Sequence, residues 1–233
     1  KSAALPHLPA DFSALPSVSM LLSVYNEETV IDRKLDNFLQ LAYPRDRLEL
    51  IVVSDGSTDS TDAIVRGRNE PGVLLLRQEG RLGKSSALNL AAQHAGGDIL
   101  FFTDADSMLR PDCLARIAQP FADPAVGLAG GRSLYLDERG RETVGGLYRR
   151  YEEWIKEKEG RLAGIVGADG AVYAMRRELF SPLDPACIND FLHPIQVILA
   201  GRKAVAVPEA LITEAGVHEG SRAELARQTR IMA

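Results

Sequence analysis

Cysteine, tryptophan and an excess of positive charge are all scarce in this chain. Its 233 residues hold two cysteines and one tryptophan. Cys113 and Cys187 have neither metal-binding nor redox spacing and read as ordinary reduced thiols. No apolar run reaches the roughly 18 residues that a membrane-spanning helix needs. The opening Lys1–Pro16 is short, Pro-rich and irregular, without a secretory signal pattern. A chain that begins at Lys1 rather than Met reads as a piece of something longer, so flanking transmembrane segments stay open. With 27 basic against 32 acidic residues and a net charge of −5, nothing marks a nucleic-acid surface. Internal repeats and low-complexity linkers are absent as well.

What remains is an ordinary globular composition, 45% hydrophobic and 25% charged, long enough to bury a core without staples. Val18–Val24 is a short apolar strand, followed by Asn26 as the expected N-cap of a helix with Glu27 and Glu28 in its first turn. Leu48–Ser54 is a second strand, ended by the turn Asp55-Gly56-Ser57-Thr58-Asp59 and a helix over 62–68. Val73–Arg77 is a third strand, and Gly83 opens a helix. Ile99–Thr103 is a fourth. Continuous apolar strands alternating with helices predict an α/β fold with a mostly parallel central sheet covered on both faces.

Beyond Pro120 the alternation breaks down. The pattern predicts a strand over 125–131 and an amphipathic helix over Thr143–Leu162. A Gly-rich loop at Gly164–Gly170, a strand over 171–175, a helix over 191–200 and a last strand over 204–207 follow. The end, 221–232, reads as a basic amphipathic helix, equally suited to an anionic membrane surface and to ordinary packing.

Asp104-Ala105-Asp106 stands where the fourth strand gives out. Two carboxylates two residues apart can face one hard cation, and Mg²⁺ or Mn²⁺ favours one or two carboxylates completed by nucleotide phosphates. The first strand ends at Tyr25-Asn26-Glu27, the second at Asp55 and the fourth at Asp104 and Asp106. All these polar signals fall on the carboxyl edge of the sheet, where α/β proteins bind ligands.

Together with Gly80-Arg81-Leu82-Gly83-Lys84-Ser85-Ser86-Ala87-Leu88-Asn89, Gly167-Ala168-Asp169-Gly170-Ala171 and Asn189-Asp190, these segments resemble the family 2 inverting glycosyltransferases of the GT-A fold. The likeness runs from Val18 onward in the family's order and spacing. It implies an irregular segment over 1–17 and a single catalytic domain over 18–233. In that domain, 18–107 would bind the nucleotide-sugar and 108–233 the acceptor.

The resemblance implies a UDP-sugar donor, a Mn²⁺ or Mg²⁺ cofactor, and a saccharide or lipid-linked acceptor. Asp55 would accept from the uracil ring N–H, although Asp-Gly is also a common tight turn. Tyr25 belongs to the same nucleotide site. Glu27 would grip ribose hydroxyls while favouring a helix N-terminus. Arg81 and Lys84 would meet phosphates or uracil carbonyls; a solvated basic loop is the alternative. Asp104 would reach ribose or metal, and Asp106 would hold the metal.

Asp190 matches the base of the family, which takes the proton of the acceptor hydroxyl in one displacement; alternatively it caps a helix. Asn189 departs from the two acids many relatives carry there. Asp169 would contact sugar or acceptor, or cap a turn. Trp154 would stack on an acceptor sugar, or pack as core. Arg230 would meet the diphosphate, while Ile231 replaces the Trp of polymer-making members and speaks against polymer synthesis. The family's habit implies the cytoplasmic face of a bacterial inner membrane.

Three other readings fit these residues less well. A non-catalytic nucleotide-sugar-binding domain on the same fold has no need of Asp190 together with the metal pair. Sugar-1-phosphate nucleotidyltransferases open with a Gly-rich loop after strand one, unlike Tyr25-Asn26-Glu27-Glu28. Dinucleotide-binding oxidoreductases are excluded by the missing G-x-G-x-x-G.

Overall fold

The computed structural model describes residues 15–136, 165, 167–184 and 188–215. Thirteen regular elements order the edge on which the site stands: β1 (Val18–Val24), α1 (Ile31–Leu39), β2 (Leu48–Asp55), α2 (Thr61–Arg68), β3 (Val73–Gln78), α3 (Lys84–His94) and β4 (Ile99–Thr103), then β5 (Met108–Leu109), α4 (Cys113–Ala118), β6 (Val126–Leu136), β7 (Tyr173–Arg176), α5 (Asn189–Leu199) and β8 (Lys203–Ala215).

The strands form one sheet in the order β3-β2-β1-β4-β7-β6-β8-β5. The first four are parallel neighbours, and β6 with β8 is parallel too. β7 runs antiparallel to β4 and β6, and β5 antiparallel to β8. The fold is therefore the expected α/β architecture with a mostly parallel sheet. The antiparallel β7 falls where the sequence alternation breaks down.

Both faces are covered, which is why the strands read as unbroken apolar runs. Met20, Leu22, Leu50, Val52 and Phe101 lie in one cluster with Leu35 and Phe38 of α1. Their strand neighbours Leu21, Ile51, Val53, Leu100 and Phe102 lie in another with Ala87, Leu88 and Ala91 of α3. Side chains alternate along a strand, so each strand feeds both clusters.

Two expectations are corrected. Asn26 caps no helix: α1 starts at Ile31, and Asn26 takes a left-handed conformation with φ 55°. Asn tolerates that region better than most residues, and here its side chain accepts from the Thr58 N–H of the neighbouring loop at 2.8 Å. The short strand expected over 204–207 is a 13-residue strand, Lys203–Ala215. It pairs with β6, which itself runs on to Leu136. β5 and α4 carry too little periodicity to be read in advance. The helix expected over Thr143–Leu162, with Trp154, and the tail helix with Arg230 lie outside the described residues.

Candidate active site

The loops after β1 and β2 are cross-linked to each other. The Asn26 N–H donates to Ser57 Oγ, the Glu27 N–H to Thr61 Oγ1, and the Glu28 N–H to Asp59 Oδ2. The Glu28 carboxylate in turn accepts from the Ser60 N–H. Tyr25 and Glu27 are thereby fixed at the rim of the sheet.

Asp55 ends β2 almost fully buried, and both its oxygens are bonded. Oδ1 accepts from the Leu82 N–H at 2.7 Å and Oδ2 from the Gly83 N–H at 2.8 Å. Gly56 permits this: it has φ 74°, and a Cβ there would fall 2.6 Å from the Gly80 carbonyl oxygen. Asp55 thus holds the loop that carries Arg81, whose guanidinium stands 4.2 Å from the centre of the Tyr25 ring.

β4 gives out at Thr103, so the carboxylate pair sits on a turn rather than on the strand. The turn is closed by the Ser107 N–H on the Asp104 carbonyl. Ala105 points inward and is buried, Asp104 is partly exposed and Asp106 is exposed. Lys84, at the start of α3, places Nζ 2.6 Å from Asp104 Oδ1. Partial burial raises the Glu27 carboxyl above its ordinary range, and the charges of Asp106, Asp104 and Asp59 raise it further. These acids therefore repel one another, a field that a divalent cation relieves.

Among the described residues no set of three or more His, Cys, Asp or Glu side chains forms a metal cage. A cation such as Mg²⁺ rests on one or two carboxylates and completes its shell with water and phosphate oxygens.

Asp190 lies in the first turn of α5. Burial raises its carboxyl above the ordinary range; the Lys84 charge opposes the shift, and Asp169 and Asp104 add to it. The helix contains Pro194, which has no N–H to give the Asp190 carbonyl one turn back. The Ala168 N–H takes that place at 3.0 Å, docking the Gly-rich loop on the helix. In this loop Asp169 accepts from the Ser133 N–H at 2.9 Å and from the Ala171 N–H at 3.3 Å. Its turn-capping role is thus visible.

Beneath Asp190 lies a buried polar chain. Asn189 Nδ2 donates to Tyr173 Oη at 2.6 Å, and Tyr173 Oη is 2.9 Å from His193 Nδ1. Phe102 stacks on Tyr173 at 4.6 Å and packs against His193. Sequence reasoning missed this chain and also missed Lys34, a lysine on the apolar stripe Ile31, Leu35 and Phe38 of α1. A charged residue on a core-facing stripe was the signal that could have found it.

The structure brings Tyr25, Glu27, Asp55, Arg81, Lys84, Asp104, Asp106, Asp169 and Asp190 to one edge of the sheet. The family model for glycosyl transferase family 2 matches residues 19–183, the stretch that builds all of these but Asp190. The chain belongs to glycosyl transferase family 2. Similar proteins agree. The chain is 35% identical over 139 residues to a beta-monoglucosyldiacylglycerol synthase of Synechocystis sp., covering 57% of the chain and 29% of that protein. It is 39% identical over 108 residues to the probable glycosyltransferase YdaM of Bacillus subtilis, covering 44% and 26%. The chain thus spans under a third of the length of these two curated relatives.

Among solved structures, a mannosyltransferase of Pyrobaculum calidifontis in complex with GDP-Man and Mn²⁺ superposes with a TM-score of 0.81 at 30% identity. The match covers 94% of this family 2 chain and 62% of that one. S. aureus TarS in complex with UDP-GlcNAc shares the fold, with a TM-score of 0.64 at 20% identity. The GT-A fold expected from the sequence is therefore the fold observed.

Proposed function

We infer that this chain is the catalytic domain of an inverting glycosyltransferase. It moves a sugar from a nucleotide-sugar, a UDP-sugar in the reading made from sequence, to a saccharide or lipid-linked hydroxyl. The observation that carries the reading is the pairing of Asp190 with the Asp104–Asp106 turn across Lys84, whose charge acts on Asp190 and whose Nζ bonds Asp104.

The chemistry follows from that placement. Tyr25 and the Arg81 guanidinium give a planar seat for the base, beside the strand end that carries Asp55. Glu27 faces the ribose. Asp104 and Asp106 would hold Mn²⁺ or Mg²⁺, which supplies charge neutralisation for the leaving diphosphate. Lys84, half-exposed on Asp104, is within reach of the same phosphates. On the far side of the sugar, Asp190 takes the proton of the acceptor hydroxyl as its oxygen bonds to the anomeric carbon. The bond from that carbon to the diphosphate breaks in the same step, so configuration inverts. A carboxyl raised by burial is a stronger base than a solvated one, which suits this task.

Ile188 and Phe191, on either side of the Asn189-Asp190 pair, are 53% and 57% exposed. An apolar rim next to the base fits an acceptor with a lipid portion, as in the relative named for a glucosyldiacylglycerol. Asp169 lies on the acceptor side of the edge. Trp154 as an acceptor-sugar platform and Arg230 as a diphosphate contact complete the reading. So does a place at the cytoplasmic face of a bacterial inner membrane. No helix of the described residues is long and apolar enough to cross a membrane.

Calorimetric titration with UDP, GDP and their sugars, with and without Mn²⁺, tests the donor site. Metal-dependent binding that is lost in Asp106→Ala supports the reading and also selects the base. Release of nucleotide from the bound donor, lost in Asp190→Asn, separates the enzyme from a mere binder. Binding without any metal dependence would refute the metal-assisted mechanism.

A further inference from the structure

Lys34 projects from α1 into the main core cluster and is only 1% exposed. Lysine is almost never so buried unless its ammonium is engaged. Here Nζ donates to Thr103 Oγ1 at 2.8 Å and to the Ser107 carbonyl. These two residues bracket Asp104-Ala105-Asp106, one just before it and one just after. One helical turn on, Asn37 grips the same segment with both ends of its amide: Nδ2 donates to the Leu109 carbonyl at 2.7 Å, and the Leu109 N–H donates to Oδ1 at 2.8 Å. Residues three apart on a helix share a face, so α1 fixes the turn at Thr103, Ser107 and Leu109.

The geometry points to Lys34 as a positioning residue that sets the separation and aim of the Asp104 and Asp106 carboxylates for a divalent cation. The inference rests on the reading of those acids as the metal-holding pair. Two effects of the ammonium oppose each other. Its charge stands behind the site and repels a cation, whereas its bonds keep the turn from relaxing. Water at the exposed carboxylates screens the first effect. Nothing screens the second, because a turn that loses its buried tie changes shape. The positioning effect therefore wins, and losing Lys34 weakens metal binding despite removing a positive charge.

Two variants separate the effects. Lys34→Met keeps the bulk and removes both charge and bonds. Thr103→Val keeps the charge and removes one bond. The probe is Mn²⁺, followed by the electron spin resonance of the free ion, with whichever of UDP and GDP the native chain binds; Asp106→Ala serves as the reference. Circular dichroism and nucleotide titration in EDTA report the fold and the metal-independent part of the site.

Lys34→Met is expected to bind Mn²⁺ about tenfold or more weakly, the usual cost of losing a group behind a metal ligand. Thr103→Val is expected to lose less, in the same direction, and both should keep nucleotide affinity in EDTA. Should Lys34→Met fail to fold, Thr103→Val decides alone. Native or tighter Mn²⁺ binding in the folded variants would overturn the role of Lys34, provided that Asp106→Ala has lost the metal. Mn²⁺ binding that survives Asp106→Ala would overturn the metal reading itself, and this inference with it.

Discussion

Gly170 leaves room for the Asp190 carboxylate: a Cβ on residue 170 would stand 2.7 Å from Asp190 Oδ2. The atom met is the tip of a side chain, so the fold can absorb a methyl group by rotating Asp190 away. Gly170→Ala is therefore expected to fold and bind nucleotide normally. A displacement of about 1 Å of a reacting group costs about 100-fold in rate, so sugar transfer should fall by that order. Steady-state kinetics on the variant checks this, and transfer at the native rate would show that Asp190 is not where the reaction happens.

Asp55 carries a second testable weight. Its carboxylate is the acceptor for two neighbouring backbone N–H groups. Asp55→Ala leaves both without a partner, and losing charge-assisted bonds of this kind costs about 3 kcal/mol. For a chain of this size that lowers the melting temperature by roughly 6–12 °C. Asp55→Asn should be nearly as damaging, since its NH₂ would face an N–H donor. A melting curve for Asn that matches the native one would show that the loop is held by other contacts.

Much of this site was legible because sheet geometry gathers strand ends. Asp55 and Asp104 close apolar runs that could hardly be anything but buried strands, so their placement on one edge followed. Asp190 was legible through its family motif. Asn26 was misread because Asn serves N-caps and left-handed turns equally well, and the cross-link to Thr58 that decided between them is 32 residues away. Lys34 was legible only as a charge out of place, and the Tyr173–Asn189–His193 chain was not legible at all. Their meaning lies in contacts across the fold, and a lysine or histidine within an apolar stripe states a problem without naming the partner that solves it.

His193 makes the stability of the fold pH-dependent. Burial lowers its pKa from 6.5 to about 4, and its Nε2 has no bonding partner among the described residues. The unfolded chain therefore takes up a proton below about 6.5 while the folded chain does not until about 4. The contribution is fully present above about pH 6.5 and is lost as pH falls toward 4, by about 3 kcal/mol in all. His193→Phe, which fits the ring cluster of Phe102, Tyr173 and Phe180, should flatten the curve of stability against pH over this window. Urea unfolding at several pH values measures it, and parallel curves for native and variant would contradict the assignment.

Asp190 carries the opposite sign. Its pKa is raised in the fold, mainly by burial, so the folded chain holds this proton more tightly than the unfolded chain. The stability that follows is present at low pH and lost as pH rises through the folded pKa, which leaves the ionised carboxylate a burden at neutral pH. Asp190→Asn removes that burden. The variant should melt above the native chain at neutral pH and converge with it in acid, while transfer falls by about 10²–10⁴-fold for want of a base. Lys84 is the competitor, because its charge favours the ionised form. If Asp190→Asn melts below the native chain at neutral pH, attraction to Lys84 outweighs burial, and the residue is an ion-pair anchor rather than a base held ready in a desolvated site.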